Sequence, residues 1–407
     1  VFRRENMKYA LLICDGMADY PLEKLQGKTP LQVAKTPNLD RLAREGSTGL
    51  AETIPEDMTP GSDVASLSIL GYDPRKYYRG RGPLEAVSLD IQPAPDEVVF
   101  RCNLVSVSDE VMEDYSAGHI SSKEARVLID ALNKGIRIDG VTFNAGVSYR
   151  HVTTIKEKLL QEGKGELRCV PPHAIIGEPI ERNFPTGQGS RLLRDLMEKS
   201  REILNAEPIN QVKIDLQEDP ANMIWLWGGG KLERPPSFQE RFGLDGTVIA
   251  GVDLIKGIGR LIGLRAADVP GATGYYDTDY EAKASYGIEA LEKADFVVVH
   301  VEAADEAGHN ADILQKITAI ERFDAKIVGK IVEKLEQWGE YRVVAMPDHY
   351  TPISLRNHTS DPVPFAICGK GVRTDSVIVF DEFSVAEGGF GRVQGHQLMS
   401  TLFASGG

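Results

Sequence analysis

The stretch Phe296-Val297-Val298-Val299-His300-Val301-Glu302-Ala303-Ala304-Asp305-Glu306-Ala307-Gly308-His309 passes from an almost unbroken apolar run into an Asp-x-x-x-His pair. An apolar run that is continuous rather than alternating is the pattern of a strand covered on both faces, as in a parallel sheet. Tyr9–Cys14, Arg342–Met346 and Phe365–Cys368 read the same way. Helical patterns lie between these runs. Lys316–Trp338 places Ile317, Ile320, Phe323, Ile327, Ile331 and Leu335 at steps of three and four, with charges opposite. Arg191–Leu204 repeats the pattern with Leu192, Leu193, Leu196, Met197, Ile203 and Leu204. Strands alternating with helices predict an α/β fold on a mostly parallel sheet with helices on both faces.

The middle of the chain is different. From about residue 90 to 221 it is richer in loops, punctuated by Pro93, Pro95, Pro171, Pro172, Pro179 and Pro185. This predicts a core made of both chain ends, residues 1–89 and 222–407, with a second, smaller domain, residues 90–221, inserted between them. The length of 407 residues agrees with two or three domains.

Composition narrows the function. With 46 Lys+Arg against 60 Asp+Glu the net charge is −14, which argues against a nucleic-acid binder, since phosphate backbones are held by surplus positive charge. A small phosphorylated molecule needs only a local cluster of such charge. No apolar run approaches the roughly 18 residues of a membrane span. The apolar start at Met7-Lys8-Tyr9 meets Asp15 directly after Cys14, so a secretory signal is not expected. Met7 is the expected natural start, with the six residues before it an upstream extension. Cys14, Cys102, Cys169 and Cys368 lie far apart with no CxxC pairing, the pattern of reduced thiols in a cytoplasmic protein.

The placement of carboxylates and histidines carries the chemistry. Asp15 follows the first predicted strand, Asp305 and His309 follow the run ending at Val301, and Asp348 and His349 follow Arg342–Met346. In open parallel sheets the carboxyl ends of the strands form the ligand crevice. His358 lies nine residues beyond His349. Alone, Asp15-Gly16 reads equally as a turn, Asp305 as a helix-start residue, and His358 as an ordinary histidine. Together, three strands ending in oxygen and imidazole ligands point to a transition-type divalent metal. In Thr59-Pro60-Gly61-Ser62-Asp63, Pro60 and Gly61 break the chain before a short helix closed by Gly71. Ser62 would stand at its N-terminus, where free N–H groups favour a phosphate, although a serine there is commonly just a cap. Neither Gly228-Gly229-Gly230 nor Gly257–Gly263 fits a dinucleotide fingerprint, and no P-loop or G-x-S-x-G elbow occurs. Arg75, Lys76, Arg79 and Arg81 form a basic turn beside this segment, read either as anion-binding or as solvated charge.

Nine motifs stand in order along nearly the whole chain: Ile13-Cys14-Asp15-Gly16-Met17, Pro60-Gly61-Ser62-Asp63, Leu70-Gly71-Tyr72-Asp73-Pro74, Gly80-Arg81-Gly82-Pro83-Leu84-Glu85-Ala86, Trp225-Leu226-Trp227-Gly228, Gly271-Ala272-Thr273-Gly274, Asp305–His309, Pro347-Asp348-His349 and His358-Thr359-Ser360-Asp361-Pro362-Val363-Pro364-Phe365. With them the chain resembles the archaeal-type cofactor-independent phosphoglycerate mutases of the alkaline phosphatase superfamily. Ala304 stands where the pattern has proline and Gly229 where it has glutamine; neither is a ligand. The resemblance implies an alkaline-phosphatase-like α/β core with an inserted α/β lid domain. It implies two divalent metal ions and no 2,3-bisphosphoglycerate. Asp305, His309 and His358 match the ligands of one ion, and Asp15, Asp348, His349 and Ser62 those of the other. Mn²⁺ is the first expectation, with Zn²⁺, Co²⁺ and Mg²⁺ as alternatives.

The implied activity is interconversion of 2- and 3-phosphoglycerate, a step of glycolysis and gluconeogenesis, through a phosphoserine at Ser62. His119, Arg150 and Lys256 match segments that carry phosphate- and substrate-handling groups, so that Ser62, Lys256 and His119 are the expected catalytic set. The lid is expected to exclude water from the phosphoserine. Asp114-Tyr115-Ser116-Ala117-Gly118-His119-Ile120-Ser121 resembles a subgroup proposed to be homoserine kinases, which leaves the phosphoryl acceptor open. A metal-dependent phosphatase on the same core is a further reading.

Overall fold

The apolar runs are strands, and the helices between them cover the sheet they build. The computed structural model describes residues 7–404; the expected upstream extension before Met7 lies outside the described residues. The strands are β1 (Lys8–Cys14), β2 (Ser47–Glu52), β3 (Glu97–Ser108), β4 (Val111–Asp114), β5 (Val141–Val147), β6 (Arg150–Lys156), β7 (Met223–Gly230), β8 (Gly246–Ile249), β9 (Arg265–Ala267), β10 (Phe296–Val301), β11 (Tyr341–Met346), β12 (Val363–Gly369) and β13 (Gly391–Gln394). Contacts divide the chain into two units: the described residues up to Tyr78 with those from Arg234 onward, and Arg79–Glu233.

The first unit holds an eight-stranded sheet in the order β13-β2-β12-β11-β1-β10-β8-β9. From β11 to β9 every pairing is parallel. Both faces are buried, as the unbroken apolar runs require. On one face Ala10, Leu12, Val297, Val299, Val343 and Ala345 pack with Leu39, Ala284, Ile320, Ile327 and Ile331 from helices Pro37–Glu45, Tyr280–Lys293 and the run from Ile313 to Trp338. On the other, Tyr9 meets Phe403 edge-on at 4.8 Å and Phe296 stacks on Phe238 at 4.9 Å.

Two expectations are corrected. Phe365–Cys368 belongs to β12, which runs antiparallel to both β11 and β2. Its sequence imitates a parallel strand because Phe365, Ala366, Ile367 and Cys368 are all buried, whatever the strand's direction. It is reached from β11 by the loop 347–362 rather than by a crossover helix. The helix read over Lys316–Trp338 is Ile313–Arg322 and Gly329–Trp338 joined by a π-type turn, Phe323–Val328. Asp324 in that turn accepts from the Leu39 N–H at 2.7 Å and from Asn38. It thereby supplies the cap that Thr36, at the start of Pro37–Glu45, does not make with its own side chain.

The second unit is a five-stranded antiparallel sheet, β4-β3-β6-β5 with β7 on the other side of β3. Helices Ser122–Gly135 and Ser190–Asn205 contribute Leu128, Leu132, Leu193 and Leu196 to its core beside Phe100, Leu104 and Trp225. Its limits lie outside residues 90–221. Helix Arg81–Ser88 joins it through Ala86 against Val99 and Val152, and β7 joins it by pairing with β3. No described helix is long and apolar enough to cross a membrane.

One buried ion pair braces the first unit. Lys316 Nζ lies 2.6 Å from Asp19 Oδ2, with both side chains sealed from solvent. Lys316 also donates to the Thr351 carbonyl at 2.8 Å, and Asp19 accepts from the Ile353 N–H. Removing one partner of such a pair leaves an uncompensated buried charge, at about 3–5 kcal/mol. Lys316→Met is expected to lose about that much in urea unfolding, and Lys316→Met/Asp19→Asn to lose less. A double variant as unstable as the sum of its singles would show that the pair is not coupled.

Candidate metal and phosphoryl-transfer site

Neighbouring parallel strands bring the acidic residues together. Register aligns Ile13 with Met346 and Cys14 with Val301, so β11, β1 and β10 end at one level. Asp15 leaves β1, Asp348 and His349 leave β11, and Asp305 and His309 stand one turn apart on the helix Ala303–His309 after β10. Gly16, at φ +60°, permits this crowding: an added Cβ would lie 2.7 Å from Asp305 Cα and 2.5 Å from Thr351 Oγ1.

Two ligand-type groups result. In one, Asp305 lies 3.3 Å from His309 Nε2 and 3.2 Å from His358 Nε2. The two imidazole nitrogens are 2.8 Å apart. His309 Nδ1 faces the Arg356 carbonyl at 3.0 Å, where an N–H donates, and Nε2 is the nitrogen turned towards Asp305 and His358. In the other group, His349 Nε2 lies 3.4 Å from Asp15 Oδ1, 3.4 Å from Asp348 Oδ2 and 3.1 Å from Ser62 Oγ. Asp15 Oδ1 and Asp348 Oδ2 are buried without a hydrogen-bond partner. The second oxygen of Asp348 is engaged by the Gly16 and His349 N–H groups, which turns Oδ2 towards His349.

Electrostatics sort the carboxyls. Burial, reinforced by the charges of Asp348 and Asp305, pushes Asp15 well above the usual carboxylate range. Burial also opposes the charge on Asp305, but His309 and His358 override it and hold that carboxyl well below the usual range. Asp348 is likewise held low against burial, by His349 and His300. The hydrogen bond to Asp305 raises His309 to about 9. Buried carboxylate oxygens without partners, facing imidazole nitrogens, are what a bound cation would satisfy. The donor set therefore fits a divalent ion in each group.

Ser62 is not a simple cap. Gly61 occupies the capping position of helix Ser62–Ile69, and the Ser62 hydroxyl meets His349 instead. Lys256, on helix Asp253–Leu261, turns its amine to Asp268, to which it donates at 3.0 Å. Arg75 pairs with Asp57, and Arg79 with Glu233.

Other groups behind the ligands were not apparent from sequence pattern. His300, fully buried on β10, lies 3.7 Å from Asp15 and 3.9 Å from Asp348, with its other nitrogen 3.3 Å from Glu302. Burial opposes a charge on His300, but Asp348 and Glu302 outweigh it and raise the ring to about 9. Glu302 pairs with Lys283 at 2.6 Å and accepts from Gly251 and Val252 at the start of the helix carrying Lys256. A histidine interrupting the valines of Phe296–Val301 was the available signal.

In the second unit, the segments that carry His119 and Arg150 come together. Ser148 Oγ donates to the Ile120 carbonyl at 2.7 Å, and the Tyr149 ring meets the His119 ring edge-on at 6.2 Å. Ala117, Gly118 and His119 all have positive φ, a strained run held by the Asp114 carboxylate, which accepts from the Ser116 and Gly118 N–H groups. Arg101, buried on β3, pairs with Glu85 at 2.9 Å and lies over Trp227, while its Nε has no partner. Burial lowers its pKa, helped by the charges of Arg150 and Arg81. His173 packs edge-on against Trp227. A positive cluster thus sits on this unit, and Arg101, hidden within an apolar strand, is the member that composition did not reveal.

Comparison with known proteins places the chain in a family. A protein from Methanothrix thermoacetophila called 2,3-bisphosphoglycerate-independent phosphoglycerate mutase is 51% identical over 98% of this chain and 100% of its own length. Another of that name, numbered 2, from Methanothermobacter thermautotrophicus is 49% identical over 98% of this chain and 97% of its own. Among solved structures, a Pyrococcus horikoshii protein is 30% identical, with a TM-score of 0.81 over 98% of this chain and 96% of that one. A cofactor-independent phosphoglycerate mutase from Thermoplasma acidophilum is 26% identical, with a TM-score of 0.66 over 97% of this chain and 98% of that one. The sequence profile described as 2,3-bisphosphoglycerate-independent phosphoglycerate mutase matches residues 43–210. Fold and sequence together define an enzyme of the phosphoglycerate mutase class. The chain belongs to the 2,3-bisphosphoglycerate-independent phosphoglycerate mutase family.

Gly16 and Gly27 both have positive φ, but nothing lies within 4 Å of a Cβ added at Gly27. Gly27→Ala is expected to cost about 1–2 kcal/mol for the left-handed backbone alone. Gly16→Ala should cost clearly more in denaturant unfolding and reduce activity as well. Equal costs would mean that the approach of Asp305 and Thr351 to Gly16 is not constraining.

Proposed function

We propose that this protein interconverts 2- and 3-phosphoglycerate through a phosphoserine at Ser62, with Asp305, His309 and His358 holding one divalent ion and Asp15, Asp348, His349 and Ser62 the other. The observation that carries the reading is the Ser62 hydroxyl 3.1 Å from His349 Nε2, where the unpartnered oxygens of Asp15 and Asp348 also face. Bound divalent ions would supply Lewis acidity for the serine oxygen and for the phosphoryl charge.

The chain's own groups do the rest. Ser62 Oγ attacks phosphorus as the ester bond to glycerate breaks, and the other glycerate hydroxyl then takes the phosphoryl group back. The proton gained by one glycerate oxygen is given up by the other, so the net reaction consumes neither water nor ATP. The N–H groups opening helix Ser62–Ile69 favour the phosphoryl charge there. Arg150, His119 and Lys256 are assigned to the substrate, a reading supported by the positive cluster of Arg81, Arg101 and Arg150. Mn²⁺ is the ion we assign first, because mixed carboxylate and imidazole donors suit a transition-type ion. The unpaired state of Cys14, Cys102, Cys169 and Cys368 supports a cytoplasmic setting.

The test is a coupled assay on metal-stripped protein reloaded with Mn²⁺ and given 3-phosphoglycerate without ATP. Steady formation of 2-phosphoglycerate is expected, falling by roughly 10³-fold or more in Ser62→Ala. Phosphohomoserine formed from homoserine and ATP, with no isomerisation, would overturn the acceptor; release of inorganic phosphate alone would indicate a phosphatase. Asp305→Asn and Asp348→Asn should each remove one of two bound ions. Arg150→Ala should raise KM while leaving ion binding unchanged, and equal loss of both would point to misfolding.

A further inference from the structure

Thr351 lies two residues beyond His349 in the extended segment after β11 and is wholly buried. Its hydroxyl donates a short hydrogen bond to Asp305 Oδ1, which belongs to one ligand group. The same oxygen lies 3.2 Å from His349 Nδ1, which belongs to the other. A hydroxyl has one proton, and a carboxylate can only accept. With that proton given to Asp305, the contact to His349 requires the imidazole to donate from Nδ1. Nε2 is then left as a lone pair, facing Asp15, Asp348 and Ser62 at 3.1–3.4 Å.

The bridge is held by its neighbours. The Thr351 carbonyl accepts from Lys316, itself locked to Asp19. An added Cβ at Gly16 would lie 2.5 Å from Thr351 Oγ1, and one at Gly308 2.5 Å from the Thr351 carbonyl oxygen. Gly16 and Gly308 thus pack directly against the residue.

We propose that Thr351 is a positioning residue that joins the two ligand groups: it fixes the His349 tautomer and the Asp305 rotamer together, so both sites lose metal affinity when its hydroxyl is removed. This rests on the two-metal reading above. The hydroxyl would act as the outer partner that orients a metal-bound histidine, and removal of such partners weakens binding about 10–100-fold.

The test is calorimetric titration of metal-stripped protein with Mn²⁺ alone. The unsubstituted chain should take up two ions. Thr351→Val, which keeps the shape and removes the hydroxyl, should bind both about 10–100-fold more weakly. Thr351→Ser should stay within a few-fold of the unsubstituted chain. Saturating Mn²⁺ should restore most of the kcat of Thr351→Val, with KM for 3-phosphoglycerate unchanged. Both affinities unaltered in Thr351→Val, or only one weakened, would overturn the joining role. Fewer than two ions on the unsubstituted chain would overturn the two-metal reading and this inference with it; two ions without isomerisation would overturn the substrate alone. ¹⁵N NMR of the His349 ring in the unsubstituted chain gives a check independent of any variant. The proton is expected on Nδ1, and the opposite tautomer would overturn the proposal.

Discussion

Several carboxylates gathered out of water at one sheet edge are the constraint around which the first unit is organised. Asp15, Asp305, Asp348 and Glu302 are all buried there. In a medium of low dielectric such charges are tolerated only when each finds a partner. The structure answers with His309 and His358 at Asp305, with His300 and His349 near Asp348, and with Lys283 at Glu302. Asp15 is the member left least compensated, and its raised pKa is the same fact stated chemically. The parallel register of β11, β1 and β10 makes the concentration unavoidable, because their ends fall side by side.

Much of this was legible in sequence because it depends on local order. Burial on two faces writes itself as an unbroken apolar run, and ligands placed after such runs inherit the geometry of strand ends. Hence Asp15, Asp305, His309, Asp348 and His349 could be placed without coordinates, and Ser62 by the break at Pro60-Gly61. What pattern could not convey was direction and partnership. β12 is as apolar as its neighbours, yet runs the other way. Thr351, Glu302 and Lys283 look like ordinary loop or helix residues until the sheet brings distant segments together. The proline-punctuated middle looked loop-rich, although it contains four of the five strands of an antiparallel sheet whose long central strand, β3, carries the buried Arg101.

The second unit gathers a local cluster of the opposite charge by a different route. Its arginines are spread over helix Arg81–Ser88, β3 and the start of β6, and so have no common spacing in the chain. The left-handed run Ala117–His119 is likewise invisible to propensity, since only Gly118 among the three takes that conformation readily. Strain of this kind persists where surrounding bonds over-determine it, as those from Asp114 do here.

The antiparallel course of β12 has a mechanical meaning. The loop 347–362 carries Asp348, His349, Thr351 and His358, and it is tethered at both ends to strands that pair with each other. Because those strands pair with each other, the two ends of the loop are held at a fixed spacing. Two ions held by this loop, one with Asp15 and the other with Asp305, would therefore work as rivets that fasten it to the ends of β1 and β10 as well as β11. Chelation would then loosen the middle of the sheet as a whole, rather than a surface flap.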